Sequence, residues 1–149
     1  MKKFTLILSG LLLSVSSFTA QAETPEKAQA LLNDAVALFK AKGREGALKE
    51  INVGGKWHQG QLYVVVAQFD GMMVGHSAND KIPGRNMLEA KDAAGTPFVK
   101  QTIENVRTKG NSALDMRWAN PVTKQIADAI MFAKQVPGQE LYVGAVVFK

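Results

Sequence analysis

The spacing of apolar residues first predicts helical structure at the N-terminal end of the chain. Apolar residues recur every three or four positions over residues 25–42, the pattern of a helix with one buried face. Thr24-Pro25-Glu26 is a typical helix start, and Gly43 is a typical helix end. A shorter helical pattern follows at residues 45–51, before Gly54-Gly55 interrupts it. We therefore predict a long amphipathic helix followed by a short helical piece.

A continuous apolar run over residues 62–69 predicts the central element of the fold. The run is interrupted only by Gln68, is rich in valine and aromatic residues, and favours a strand buried on both faces. Asp70-Gly71 is typical of a tight hairpin turn. A second strand is predicted at residues 72–76, with His76 at its end, which we interpret as a polar hairpin tip.

The second half of the chain predicts a loop, a helix and three further strands. The loop covers residues 78–92, and Thr96-Pro97 is a capped start for a helix that ends at Lys109-Gly110. Turns at Asn120-Pro121 and Pro137-Gly138 separate strands predicted at residues 112–118, within 124–135, and at 141–148. The pattern predicts an α+β domain with a five-stranded antiparallel sheet. The N-terminal helix would cover one face, and the loop and second helix would enclose a cavity on the other.

The first 22 residues have the pattern of a signal peptide. Lys2 and Lys3 precede an apolar run at residues 6–15, and Ala20-Gln21-Ala22 matches a signal-peptidase site. The alternative is an uncleaved anchor, but the apolar run is too short for a comfortable membrane span. We expect a signal peptide at residues 1–22 and a single domain at 23–149, located in the periplasm or secreted.

Composition narrows the range of functions. The chain has no cysteine, so a disulfide framework is excluded. Its formal net charge is +5, falls to +3 without Lys2 and Lys3, and includes no basic run, which argues against a nucleic-acid partner. No nucleophile motif, phosphate loop or metal-ligand spacing is present. We expect no enzymatic activity, no cofactor and no metal.

Four pieces in order resemble the single Cache domain, type 2. They are the apolar strand with its Asp-Gly turn, the loop GRNMLEAKDAAG, the segment RWANP, and the Pro-Gly hairpin leading into the last apolar strand. The resemblance covers nearly all of residues 23–149. It implies a PAS-like fold and an extracytoplasmic sensor module of the kind that often binds small organic acids.

The sequence departs from that family pattern in two ways. Receptor members are followed by signalling domains, whereas this sequence stops at Lys149, which suggests a free-standing form that acts through a partner protein. The fourth strand of the family usually carries a lysine and a tyrosine ahead of the final hairpin, and Phe132 stands where the tyrosine is expected. This loss leaves the ligand class open.

Arg117 is the candidate anchor for an anionic ligand. Its planar guanidinium group can donate two parallel hydrogen bonds to a carboxylate. The alternative is that Arg117 is exposed and paired with Asp115 or another acid. His76 could form hydrogen bonds that respond to pH, or be structural. Trp118 could stack on a ligand or belong to the core, and the methionines could line a pocket or fill the core. The candidate ligand-binding residues are Phe69, His76, Gly84, Arg85, Asn86, Arg117, Trp118 and Phe132.

Two functions remain open at this point. The favoured one is a soluble periplasmic module that binds a small organic carboxylate and acts through a membrane receptor or another protein. The alternative is a non-catalytic structural or protein-interaction domain whose cavity is filled by side chains. The sequence also leaves open a homodimer formed through the N-terminal helix.

Overall fold

The computed structural model describes residues 23–149, so the predicted signal peptide lies outside the described residues. The helices and strands confirm the predicted α+β class. In chain order they are α1 (Pro25–Val53), a short 3-10 helix (Gly55–Trp57), β1 (His58–Gln59), β2 (Leu62–Gln68), β3 (Met73–His76), α2 (Phe98–Lys109), β4 (Asn111–Ala119), β5 (Ile126–Gln135) and β6 (Leu141–Phe148).

The strands form one antiparallel sheet with the order β1-β2-β6-β5-β4, and β3 also pairs with β2. The sheet therefore has six strands, because the two-residue β1 adds to the five that were predicted. Val65 of β2 pairs with His76 on one side and with Gly144 on the other. This register corrects the interpretation of His76 as the hairpin tip. The tip is the Asp70-Gly71 turn, and His76 lies at the open end of the hairpin.

Helix α1 contains a break that the sequence predicts. Gly43 has φ +68° and ψ 177°, which is not helical, so the two predicted helical pieces meet there. The start is also as predicted, since Thr24 Oγ1 accepts a hydrogen bond from Lys27 N at 3.3 Å. The predicted hydroxyl cap of α2 is wrong: Pro97 is the N-cap, and no side chain of the described residues caps this helix.

Strand β2 is buried on both faces, as predicted, and divides the core into two layers. Leu62, Val64 and Val66 face α1, whereas Tyr63, Val65 and Ala67 face α2 and the loop that precedes it. Successive strand residues point to opposite faces, so one apolar run supplies both layers. Strand β6 alternates in the same way and lies beside β2 in the centre of the sheet.

The packing of α1 predicts a large effect for Leu32→Ala. Leu32 is almost fully buried in the layer between α1 and the sheet. We expect the free energy of unfolding to fall by about 2 to 5 kcal/mol, because a buried leucine leaves a cavity when truncated. Urea denaturation measures the change, with Gln29→Ala on the exposed face of the same helix as the control. Equal stability of both variants would show that α1 does not dock in solution.

Candidate functional site

A small cavity lies between the sheet and the layer formed by α2 and residues 78–92. Its volume is about 30 Å³, room for roughly two water molecules. The sheet, α2 and the loop all contribute to its wall, which consists of Tyr63, Val65, Met73, His76, Ile82, Met87, Phe98, Val99, Met116, Trp118, Met131, Tyr142 and Val146. The cavity thus lies where the sequence analysis expects one, and four of the predicted methionines line it.

Two tyrosines give this apolar cavity hydrogen-bonding capacity that the protein itself does not use. Tyr63 and Tyr142 are 3% and 1% exposed, and neither hydroxyl has a hydrogen-bond partner among residues 23–149. Burial raises the pKa of both hydroxyls, so both are neutral at ordinary pH. In this range the side-chain atom that is fully buried without a partner is Thr102 Oγ1, so the two hydroxyls are not completely enclosed and can bond to a ligand or water in the cavity.

The environment of His76 determines which hydrogen bond it can offer. Its ring stacks on Tyr63 with centroids 4.9 Å apart, and its Nδ1 accepts a hydrogen bond from Ala78 N at 3.2 Å. We infer that the ring proton is on Nε2, because an accepting Nδ1 carries no hydrogen. Burial, reinforced by the nearby His58, lowers the pKa of His76 to about 4. At neutral pH the ring is therefore an uncharged donor through Nε2.

Arg117 lies on the other face of the sheet from this cavity. Its neighbours Met116 and Trp118 both line the cavity, so alternation along β4 directs the arginine away. The side chain is 56% exposed, and its Nε lies 3.2 Å from Asp128 Oδ1. This geometry corrects the expectation that the guanidinium anchors a ligand in the cavity. Arg117 instead forms an exposed ion pair with an acid, which was the alternative.

The two candidate phenylalanines also lie outside the cavity wall. Phe132 packs against the α1 layer near Leu32, on the opposite face of the sheet. Phe69 belongs to the same layer as the cavity, but its ring lies under the guanidinium of Arg107, 4.9 Å from the ring centroid. Of the eight candidate residues, the structure therefore brings His76 and Trp118 together at the cavity. The Trp118 ring packs on Phe98 there, with centroids 4.8 Å apart.

The candidate loop residues use their polar groups to hold the loop against the hairpin. Gly84 N donates to Met73 O at 2.8 Å, and Arg85 O accepts a hydrogen bond from Met73 N at 2.9 Å. The Asn86 side chain donates to Asp70 O and accepts from Leu88 N, each at 3.0 Å. These groups do not line the cavity. The structure therefore gives Gly84, Arg85 and Asn86 a role in positioning the cavity wall.

Asp92 connects the same loop to β4. Its Oδ1 accepts hydrogen bonds from Ala94 N at 2.9 Å and Thr96 N at 2.7 Å, and its Oδ2 accepts one from Arg117 N at 2.8 Å. Burial acts to raise the pKa of Asp92, but the backbone amide hydrogen bonds outweigh it and hold the pKa below its ordinary value. The acid of the loop motif thus fixes the backbone next to the cavity.

Tyr63 and Tyr142 are the polar residues of the cavity wall that sequence reasoning did not single out. Both lie in strands whose side chains are buried on either face. A buried tyrosine hydroxyl usually has a hydrogen-bond partner, so tyrosines in such strands are a signal of a polar site. That signal was available in the sequence.

The described residues offer little to a metal and nothing that crosses a membrane. Among residues 23–149, no group of three or more His, Asp or Glu side chains is placed to hold a metal ion. No helix within that range combines the length and the apolar character that a membrane span requires.

The fold is that of a small α+β domain with an antiparallel sheet and a cavity on one face, and comparison identifies the family. Residues 20–148 match Single Cache domain 2, and the chain belongs to that family. No curated protein matches the chain significantly.

Solved structures of chemotaxis and Cache chemosensory proteins share this fold. One is the periplasmic sensor domain of a chemotaxis protein, with 22% identity and a TM-score of 0.65, covering 83% of this chain and 88% of that chain. A methyl-accepting chemotaxis protein from Vibrio parahaemolyticus RIMD 2210633 has 15% identity and a TM-score of 0.71, with 83% and 86% covered. A Cache chemosensory domain described for its carboxylic acid recognition has 21% identity and a TM-score of 0.64, with 83% and 86% covered. At these identities the likeness establishes the fold.

Proposed function

We propose that this protein is a periplasmic sensor module that binds a small organic acid in the cavity and acts through a partner protein. The observation that carries the proposal is the pair of tyrosine hydroxyls without a hydrogen-bond partner among residues 23–149, in the wall of the same cavity as His76. A carboxyl group can form hydrogen bonds to these groups through both of its oxygens. The similar Cache domain known for carboxylic acid recognition supports the choice of an acid.

The size of the cavity sets the size of the ligand. A volume of about 30 Å³ holds little more than two water molecules, so a compact acid must displace part of the wall. Met73, Met87, Met116 and Met131 supply flexible side chains that can move to admit it. We therefore propose an acid of two to three carbons, bound without chemical conversion.

The proposed location and partner follow from the kind of domain. One of the similar structures is the periplasmic sensor domain of a chemotaxis protein, and another is a methyl-accepting chemotaxis protein. A sensor module of this kind acts by presenting its ligand-bound form to another protein, and a membrane receptor is the partner that we propose. Export through the signal peptide predicted at residues 1–22 would place both in the same compartment.

Tyr142→Phe tests the proposed site directly. We expect affinity for the acid to fall about fivefold to tenfold, which corresponds to one hydrogen bond of about 1 kcal/mol. The stability of the ligand-free protein should stay equal or rise, because the deleted hydroxyl has no partner. Calorimetric titration measures the first effect and urea denaturation the second.

Arg117→Ala is the control for that experiment, since its side chain lies on the opposite face of the sheet. It should leave the affinity for the acid unchanged. A loss of affinity in Arg117→Ala together with normal affinity in Tyr142→Phe would move the binding site out of the cavity.

The small volume of the cavity also favours the second candidate, a structural or protein-interaction domain whose cavity is filled by side chains. A thermal-shift screen with small organic acids separates the two functions. A ligand that binds only the folded state adds about 2.7 kcal/mol of stability at a hundredfold excess over Kd. A screen in which no acid raises the melting temperature would favour the structural function.

A further inference from the structure

We infer that the cavity binds its organic acid in the neutral, protonated form, so that each acid anion takes up one proton on binding. The inference rests on the proposed function, since it concerns the ligand of the same cavity. It goes beyond that function by naming the ionisation state that the cavity selects and the pH dependence that follows.

The first observation is that no residue of the cavity wall carries a permanent charge. The wall contains no Asp, Glu, Lys or Arg. The cation Arg117 pairs with Asp128 on the neighbouring strand β5, and the cation Arg107 lies over the Phe69 ring. Moving a carboxylate from water into an apolar cavity without a cation is strongly unfavourable, and such a group neutralises instead. A bound carboxylate would have no opposite charge beside it.

The second observation is that His76 is poorly placed to supply a positive charge. Its Nδ1 already accepts the hydrogen bond from Ala78 N, so a proton there would set two N–H groups against each other. The titratable groups near the ring are the Tyr63 hydroxyl, the Tyr142 hydroxyl and His58, and none of them is an anion that would favour an imidazolium. From α1, the neutral amide of Asn52 accepts a hydrogen bond from the His76 backbone. The imidazole therefore stays uncharged.

The third observation is that the available polar groups suit a neutral acid. A protonated carboxyl group has one acceptor oxygen and one O–H donor. The Nε2–H of His76 can only donate, whereas each tyrosine hydroxyl both donates and accepts. The acceptor oxygen can bond to the imidazole or to a phenol, and the acid O–H can donate to a phenol oxygen. An ionised carboxylate would use only donors and leave the phenol acceptors unused.

Calorimetric titration with acetic and propionic acid between pH 5 and pH 8 tests the inference. Above the pKa of the acid, affinity for total acid should fall about tenfold for each pH unit, or about a hundredfold from pH 5 to pH 7. Titration in two buffers with different heats of ionisation should show uptake of about one proton. Affinity that does not change with pH would overturn the inference while leaving the proposed function intact.

Acetamide and propionamide are the matched probes, because they are neutral throughout this range. Their affinity should not change with pH, and urea denaturation at each pH verifies that the protein is folded. If neither the acids nor the amides bind even at pH 5, the proposed function itself fails, and the inference fails with it.

The variant His76→Phe tests whether the proton taken up on binding resides on the acid or on the imidazole of His76. The substitution keeps an aromatic ring to stack on Tyr63 but removes the Nε2 donor. Affinity for the acids should fall severalfold at every pH, with the same tenfold dependence per pH unit. His76→Gln keeps a neutral N–H donor in place of Nε2, so it should lose less affinity than His76→Phe while showing the same pH dependence, which guards against a folding defect in the first variant. A pH dependence that disappears in both variants would place the proton on the imidazole and overturn the inference.

Discussion

Replacing Asp92 by alanine is expected to lower the free energy of unfolding by about 3 to 5 kcal/mol. The carboxylate is buried and accepts three backbone hydrogen bonds, from Ala94, Thr96 and Arg117. Each hydrogen bond to a charged group contributes roughly 1.5 to 3 kcal/mol, and the amides lose their partner when the side chain is removed. Because the contribution of such a network is not additive, the total lies below the sum of its parts. Urea denaturation measures the loss.

Asp80→Ala is the matched control, since Asp80 is an exposed acid in the same loop. It should change stability by less than about 0.5 kcal/mol. Comparable losses in the two variants would mean that Asp92 does not hold the loop to β4 as described.

The same residue predicts a pH dependence with a definite sign. The pKa of Asp92 is lower in the folded protein than the ordinary value of 3.8. Its contribution is therefore fully present above about pH 4 and is lost as the pH falls through the folded pKa. The stability difference between wild type and Asp92→Asn should be constant at pH 5 to 7 and shrink below pH 4. A difference that grows under acid conditions would contradict this sign.

Gly71→Ala is expected to lower the free energy of unfolding by about 2 to 5 kcal/mol. Gly71 has φ +87°, a backbone conformation that L side chains rarely adopt. A Cβ there would also lie 2.5 Å from Leu88 Cβ and 2.8 Å from the Leu88 backbone. The hairpin and the crossing loop would have to separate, which adds a packing cost to the conformational one. Denaturation and titration with the acid should both report the change, because Met87 of that loop lines the cavity.

Gly84→Ala isolates the conformational cost. Gly84 has φ +90°, but no atom lies within 4 Å of the position that a Cβ would occupy. This variant should lose about 1 to 2 kcal/mol, the cost of a positive φ in a residue with a side chain. Equal losses in the two glycine variants would show that the contact between Gly71 and Leu88 is not tight in solution.

The order and type of the elements could be predicted because they depend on local patterns. The three-to-four spacing before Gly43 encodes the first part of α1, and the apolar run of residues 62–69, interrupted only by Gln68, encodes a strand covered on both faces. The four motif pieces identified the family, which the match over residues 20–148 confirms. Two of these pieces have structural roles. Asn86 and Asp92 form hydrogen bonds that hold their loop in place, and Gly71 of the Asp-Gly turn packs closely against Leu88.

The site was harder to predict because a residue's type does not reveal the face it occupies. Arg117 has the right chemistry for an acid, yet its neighbours Met116 and Trp118 face the cavity. A strand sends successive side chains to opposite faces, so either set could have been inside until the sheet was assembled. His76 and Trp118 lie in the cavity wall, and their role in binding a ligand stays a prediction. Phe132 was displaced by the same alternation that displaced Arg117.

The sequence by itself determined the helices, the strands, the turns and the family, since these follow from periodicity, glycine positions and local motifs. Only the tertiary structure decided the polar content of the cavity. Tyr63 and Tyr142 are distant in sequence, and the pairing of β2 with β6 brings their strands together. Among residues 23–149, the same assembly leaves their hydroxyls without hydrogen-bond partners and places the Arg and Lys side chains outside the cavity wall. Such a site is defined by long-range register, which the sequence does not display.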